Sequence, residues 1–228
     1  MSEFKLSAKQ ENLFIRILLI IFFVFIFLII LRYFLGVKAL KESQQNLEAF
    51  KKILNQSAQP TLTAPIARTT DPRLGSAASA NMIVVFSDFQ CPYCADLMGT
   101  LTQLIAKYPD KILLIWKDFV NQDHPEAENA AIAARCAQLQ GKFWEYHGYL
   151  YANQADLGKD LYPQIAGKIG LDENKFNQCY NNQETLPLVN DEFQEGQALG
   201  LDGTPYLFVN GKGISGAVNL ETLEKLIK

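Results

Sequence analysis

Residues 82–94 constrain the fold of this chain more tightly than any other stretch. An apolar run, Met82-Ile83-Val84-Val85-Phe86, leads into Phe89-Gln90-Cys91-Pro92-Tyr93-Cys94, and a helical pattern leads out. A short continuous apolar run followed by a helical pattern predicts a buried strand, here over Met82 to Ser87. The helix is predicted from Pro92 to Tyr108, with Cys94, Leu97, Leu101, Leu104, Ile105 and Tyr108 on one face and Pro109-Asp110 as its stop. Cys91 then falls at the helix N-cap and Cys94 one turn in. Pro92 takes the first helical position, where its missing N–H costs nothing. Free N–H groups and the helix dipole at this end favour a thiolate on Cys91. Such a sulfur attacks or leaves in disulfide exchange, and Cys94 is placed to close the ring or to resolve a mixed disulfide.

Half of a metal site is the rival reading of this pair. Zinc needs about four ligands, and the remaining candidates, Cys136, Cys179, His124 and His147, are scattered without a second Cys-X-X-Cys. No metal and no cofactor is expected. The net charge of −3 gives no sign of a nucleic-acid partner. Four cysteines are too few for a disulfide scaffold. They suit one redox pair and one structural pair, and spacing alone does not choose among the three possible pairings.

The 228 residues accommodate a membrane segment and one domain of ordinary size. Residues 1–12 form a short polar tail. Ile17 to Leu31 is unbroken apolar sequence, and through Arg16 and Arg32 the apolar stretch extends over 13–37. A span needs about 20 apolar residues, and end arginines can snorkel. No Ala-X-Ala-like cleavage site follows closely, so the reading is an uncleaved anchor rather than a signal peptide. Lys5, Lys9 and Arg16 precede the span, and Arg32, Lys38, Lys41, Lys51 and Lys52 follow it, a balance that leans against an external domain. Disulfide chemistry belongs in an oxidising compartment, and that consideration decides for an external domain.

Residues 38–80 read as a helical spacer to about Ser57, with a weak dimer stalk as the alternative, then a linker carrying Pro60, Pro65 and Pro72. Lys111 to Trp116 predicts a second buried strand, parallel to the first across a βαβ unit. The pattern turns helical from Asp123, a candidate N-cap, to about Pro187, with helices beginning near Phe143, Tyr162 and Glu173. A helix over Leu188 to Leu199 returns the chain to the core. A strand at Tyr206 to Val209, an Asn210-Gly211 hairpin turn, a strand at Ile214 to Ala217 and a closing helix from Asn219 complete the chain.

The run Phe86-Ser87-Asp88-Phe89-Gln90-Cys91-Pro92-Tyr93-Cys94, joined to Gly203-Thr204-Pro205 far downstream, resembles the DsbA-like thiol-disulfide oxidoreductases of the thioredoxin superfamily from roughly Asp71 to Lys228. The resemblance implies an α/β thioredoxin-like fold over 81–228 with a helical insertion at about 123–187, preceded by the transmembrane helix and linker. It implies catalytic Cys91 and Cys94, with Pro92, Tyr93, Thr204 and Pro205 contacting substrate. Pro205 would be cis, leaving the Thr204 backbone to pair with an extended peptide. Many relatives carry a glutamate six residues before the first cysteine, where this chain has Val85. Asp88 is a candidate proton acceptor for Cys94, with an exposed loop acid as the alternative. Tyr93 stands where many DsbA-like oxidases have histidine, and His124 and His147 read as capping or packing residues. Some relatives carry an extra bridge, which implies a structural Cys136–Cys179 disulfide.

The implied function is a bacterial, single-pass membrane oxidoreductase that introduces disulfides into extracytoplasmic cysteine-containing proteins, served by a membrane redox partner. A reductase or isomerase of the same fold, or a non-catalytic peptide-binding module, is the alternative.

Overall fold

The computed structural model describes residues 8–57 and 62–227. The chain divides into two units, Met1–Ser57 and Ala58–Lys228. The first is a single helix, α1 (Ala8–Ser57), unbroken across the segments expected as anchor and spacer. Phe25, Phe27, Leu28, Tyr33, Phe34 and Leu35 on it are exposed. Among the described residues no helix is long and apolar enough to cross a membrane. Residues 1–7 and the side chains of 8–12 in the expected tail, and the side chains of 13–21, 23 and 24 in the expected anchor, lie outside the described residues.

The second unit is built on a five-stranded sheet in the order β1-β3-β2-β4-β5. Its strands are β1 (Arg73–Gly75), β2 (Asn81–Ser87), β3 (Ile112–Asp118), β4 (Tyr206–Val209) and β5 (Lys212–Ser215). β2 and β3 run parallel, linked by α2 (Pro92–Lys107), as the βαβ pattern predicts. β2 pairs antiparallel with β4 on its other side. The period of two along β2 divides the core. Ile83 and Val85 join Leu114 and Trp116 on one face, while Val84 and Phe86 join Leu113, Ile115 and Phe208 on the other. Both faces are apolar, as a central strand covered on both sides requires.

The insertion supplies α3 (Ala127–Gln138), α4 (Phe143–Ala152), a 3-10 turn (Gln154–Asp156), α5 (Leu161–Lys168) and α6 (Glu173–Asn181). Ala127, Ala130, Ala131, Ala134 and Ala137 of α3 are all buried, and their small side chains let neighbouring helices approach closely. α7 (Leu186–Ala198) returns to the sheet and α8 (Leu220–Glu224) ends the fold. α7 lies close against the end of β3, where a Cβ on Gly196 would sit 2.5 Å from the Phe119 ring. The hairpin turn forms as its residues dictate, with Asn210 and Gly211 at φ 52 and 83.

Two expectations need correction. The segment read as linker is folded onto the domain from Leu62 on. Leu62 N–H donates to the Ala198 carbonyl, Gln138 donates to the Thr70 carbonyl, and the Trp144 indole donates to the Arg73 carbonyl at 2.8 Å. Arg73–Gly75 then adds β1, antiparallel to β3, so the sheet begins before residue 81. Asp123 is not a helix cap. α3 starts at Ala127, and its N-cap is Glu126.

Cys136 on α3 and Cys179 on α6 are joined by a disulfide with 5.8 Å between their Cα atoms. It closes a loop across a sequence separation of 43, worth about 4 kcal/mol in the chain-entropy model. Replacing both cysteines by serine should lower the unfolding free energy by about that amount in urea titration of the otherwise unreduced protein. A difference below about 1 kcal/mol would show that the helical layer holds itself together without the bridge.

Candidate active site

Three strand ends meet at one edge of the sheet, and strand register puts them there. Phe86 lies opposite Tyr206, so the residues just before β4 come alongside the end of β2. Ser87 lies beside Asp118, which brings the 119–124 loop to the other flank. Phe119 N–H closes this edge by donating to the Ser87 carbonyl at 3.0 Å. The chain leaves β2, turns through Asp88–Gln90 and enters α2 with Cys91 as its N-cap.

Cys91 is 5 % exposed and Cys94 is fully buried, and the two are unbonded thiols. The Thr204–Pro205 peptide bond is cis, and Cys91 Sγ lies 3.4 Å from the Thr204 carbonyl. Pro92 and Tyr93 lie on the surface, Tyr93 at 65 % exposure. The residues named from sequence, Cys91, Pro92, Tyr93, Cys94, Thr204 and Pro205, thus gather around one buried sulfur pair with an exposed rim.

The two thiols are driven apart electrostatically. Cys91 is lowered from 9.0 to about 6, first by a hydrogen bond from the Cys94 thiol, then by the Thr204 side chain and the backbone N–H groups of Cys94 and Tyr93. Burial opposes this without overcoming it. The helix N-terminus therefore contributes, but the partner thiol contributes more. Cys94 is raised, chiefly by burial and secondly by its hydrogen bond to Cys91. At neutral pH the pair holds one negative charge, and that charge sits on Cys91.

Asp88 is not the exposed loop acid of the alternative reading. It is buried, and its carboxylate accepts from Gln90 N–H at 2.7 Å, Asn121 N–H at 2.9 Å and the His124 ring at 2.8 Å. This braces the turn before Cys91 and ties it to the loop after β3. His124 therefore caps a carboxylate. His147 packs among Phe89, Trp116 and Tyr151, and its burial lowers its pKa to about 3, so it is neutral. Gln154 donates to the carbonyls of Phe89 and Cys91, and Glu126 N–H donates to the Gln90 side chain. The helical insertion holds the active turn from its far side.

Sequence reasoning missed a buried ion network behind this edge. Lys117 contacts Asp71 and Glu195 at 3.0 and 3.3 Å, Arg135 binds Asp118 at 2.6 Å and also Glu192, and Arg68 pairs with Glu195. Three cations here face four carboxylates. Glu192 restores the balance, since burial raises its pKa to about 8 against the pull of Arg135. Asp118 N–H donates to Glu192 at 2.6 Å, so the network clamps the end of β3, from which the bracing loop departs. The alternation of Trp116, Lys117 and Asp118 gave no hint that the lysine points into the protein. A groove of about 680 Å³ opens beside the site, lined by Phe119, Val120, Asn121, Phe193, Leu201 and Thr204 among others.

Comparison with known proteins agrees with this geometry. The Thioredoxin family model designated Thioredoxin_4 matches residues 67–228. α-DsbA2 of Wolbachia pipientis, a thiol-disulfide exchange protein, is 26 % identical with a TM-score of 0.60, covering 69 % of this chain and 85 % of its own. BdbD of Bacillus subtilis shares the fold with a TM-score of 0.64 at 18 % identity, over 72 % of this chain and 95 % of its own. An Na(+)/H(+) antiporter NhaA 1 of Mycolicibacterium gilvum is 35 % identical over 155 residues, 66 % of this chain. The chain spans about a quarter of the length of the curated relatives it matches. The chain belongs to the thioredoxin family, and its fold is similar to that of DsbA-like thiol-disulfide oxidoreductases.

The charge separation predicts a reactivity profile. Because the Cys91 pKa is lowered, its thiolate is present above about pH 6 and is lost below it. Alkylation of the reduced protein by iodoacetamide, mapped by mass spectrometry, should rise with a midpoint near pH 6 and fall on Cys91, while Cys94 stays unmodified at neutral pH. A midpoint near the free-thiol value of about 8.5 would contradict the assignment.

Proposed function

We propose that this protein donates disulfides to cysteine-containing client proteins on the extracytoplasmic side of a bacterial membrane. The observation that carries this reading is the stabilised Cys91 thiolate beside a buried, protonated Cys94. A couple whose reduced form is stabilised in this way is the more oxidising, because it gains by giving its disulfide away. A client thiolate attacks Cys91 Sγ of the Cys91–Cys94 disulfide, Cys94 leaves with the electron pair, and a mixed disulfide forms between the client and Cys91. A second client thiolate attacks the client sulfur of that bond, and Cys91 departs as thiolate. The client leaves oxidised by two electrons and the protein is left reduced.

Thr204 holds the client through its backbone, a role supported by the 3.4 Å between its carbonyl and Cys91 Sγ. Exposed Pro92 and Tyr93 complete the contact rim, with Pro205 buried next to Thr204. Reoxidation calls for an electron acceptor, and a membrane redox partner supplies that class of reaction. The anchor reading over 13–37 is supported by the unbroken apolar run from Ile17 to Leu31 and by the exposure of Phe25 to Leu35 on α1. Transport is not carried over from the antiporter relatives, since the match is confined to about a quarter of their length.

One experiment addresses both the chemistry and the side of the membrane. In bacteria expressing the full-length Cys94→Ser variant, clients should accumulate as mixed disulfides on Cys91, released by reductant, because the resolving sulfur is gone. In spheroplasts of the same cells, added protease should remove the domain. Absence of mixed disulfides would overturn the exchange reading. Full protection from protease would place the domain in the cytosol and favour a reductase.

A further inference from the structure

Cys94 must become a thiolate each time the ring opens or closes, yet it lies fully buried on the inner face of α2. Its surroundings show what can accommodate that charge. Burial and Cys91 push the Cys94 thiol up, and the neighbouring Ser87 side chain and Asp88 backbone pull it back down by favouring its charged form. Ser87, at the end of β2, is 1 % exposed, and its Oγ lies 3.0 Å from the hydroxyl of Tyr151 on α4. The Tyr151 hydroxyl also reaches the Asp88 carbonyl at 3.2 Å. Two hydroxyls therefore run in series from the buried sulfur, with a carbonyl as the terminal acceptor.

We propose that Ser87 and Tyr151 form a two-hydroxyl hydrogen-bond chain that stabilises Cys94 as a thiolate during ring closure and ring opening. The inference rests on the thiol roles proposed above. Each hydroxyl has one hydrogen, and both can turn without moving a heavy atom. While Cys94 is a thiol, Ser87 donates to Tyr151 and Tyr151 donates to the Asp88 carbonyl. When Cys94 is a thiolate, Ser87 turns to donate to sulfur and Tyr151 turns to donate to Ser87. The chain thus satisfies every member in both protonation states, as a buried polar network must.

The other ionisable groups around Cys94 do not compete for this part. Cys91 on the same helix is tied up in the mixed disulfide when Cys94 must react. The Asp88 carboxylate is held by Gln90, Asn121 and His124. His147 on α4 packs its ring against Tyr151 and is neutral. Tyr151 itself is raised well above the ordinary phenol value by burial, and so remains a donor. Ser87 and Tyr151 act through Cys94 and are positioning residues.

Reaction of the reduced full-length protein with dithiobis-nitrobenzoate separates the steps. In the first phase the Cys91 thiolate attacks one sulfur of the reagent, the reagent's disulfide breaks, one thionitrobenzoate leaves with the electron pair, and the other half stays disulfide-linked to Cys91. In the second, Cys94 loses its proton to solvent and attacks Cys91 Sγ. The bond from Cys91 to the outer sulfur breaks, a second thionitrobenzoate departs with the electron pair, and the Cys91–Cys94 disulfide forms.

In Ser87→Ala the second phase should slow about tenfold, the scale of one hydrogen bond to a charged group, with its pH midpoint moved up by about one unit. In Tyr151→Phe it should slow about fivefold in the same direction, since a neutral bond one step removed is lost. The first phase and its midpoint near pH 6 should be unchanged in both. A wild-type second phase in either variant overturns the chain, because a chain that ends at Ser87 has no use for Tyr151. Equal slowing of both phases also overturns it, since that reports general damage. Loss of the first phase in the wild-type protein would defeat the thiol assignment instead, and so is distinguishable from failure of the chain alone.

Discussion

Everything at the site depends on where β2 ends relative to its two neighbours. β2 pairs in parallel with β3 and antiparallel with β4, so one strand terminus is bordered by the exit of one strand and the entrance of another. A shift of one residue in either register would turn the alternate side chains of β2 to the opposite face. Ile83 and Val85 on one face and Val84 and Phe86 on the other are all fully buried, so the register is held by packing on both sides. Cys91, Thr204 and the 119–124 loop are then delivered to one place by strands alone, before any polar contact is made.

Polar contacts refine that placement, and they come from far along the chain. The buried ions around Lys117 and Arg135 clamp the end of β3 to α7 and to the segment around Asp71. A buried ion pair is weak support for stability, because desolvation offsets much of the attraction. Its better-attested use is to specify one arrangement among several. Here that arrangement is the one in which the loop after β3 reaches Asp88 and braces the turn before Cys91. Neutralisation of Glu192, raised to about 8, leaves three carboxylates to balance buried Lys117 and Arg135 and the partly exposed Arg68.

Much of this was legible in the sequence, and the rest failed for identifiable reasons. The apolar runs over 82–86 and 111–116, the Cys-X-X-Cys pair, the alanine stripe of α3 and the Asn210-Gly211 turn are local signals, and the elements they mark formed within a few residues. β1 was missed because Arg73–Gly75 is too short to show a period of two, and its strand character comes from pairing with β3. The docking of residues 62–72 was missed because its partners, Glu195 and Ala198, lie more than a hundred residues away. Sequence separation likewise hides Ser87 from Tyr151, 64 residues apart, since neither carries a motif. Asp88 was noticed by its nearness to Cys91, but its role is set by Asn121 and His124. Contacts made across the topology leave no periodic trace.

The central claim is that the protein stabilises its reduced form through Cys91 while burying Cys94 as a thiol. The reduction potential of the Cys91–Cys94 couple reads that difference directly. Equilibrating the full-length protein with glutathione buffers and quantifying the reduced fraction should give a value between about −120 mV, typical of DsbA, and about −230 mV, the low end for glutaredoxins. A value near the thioredoxin potential of about −270 mV would contradict the account and assign the site to reduction.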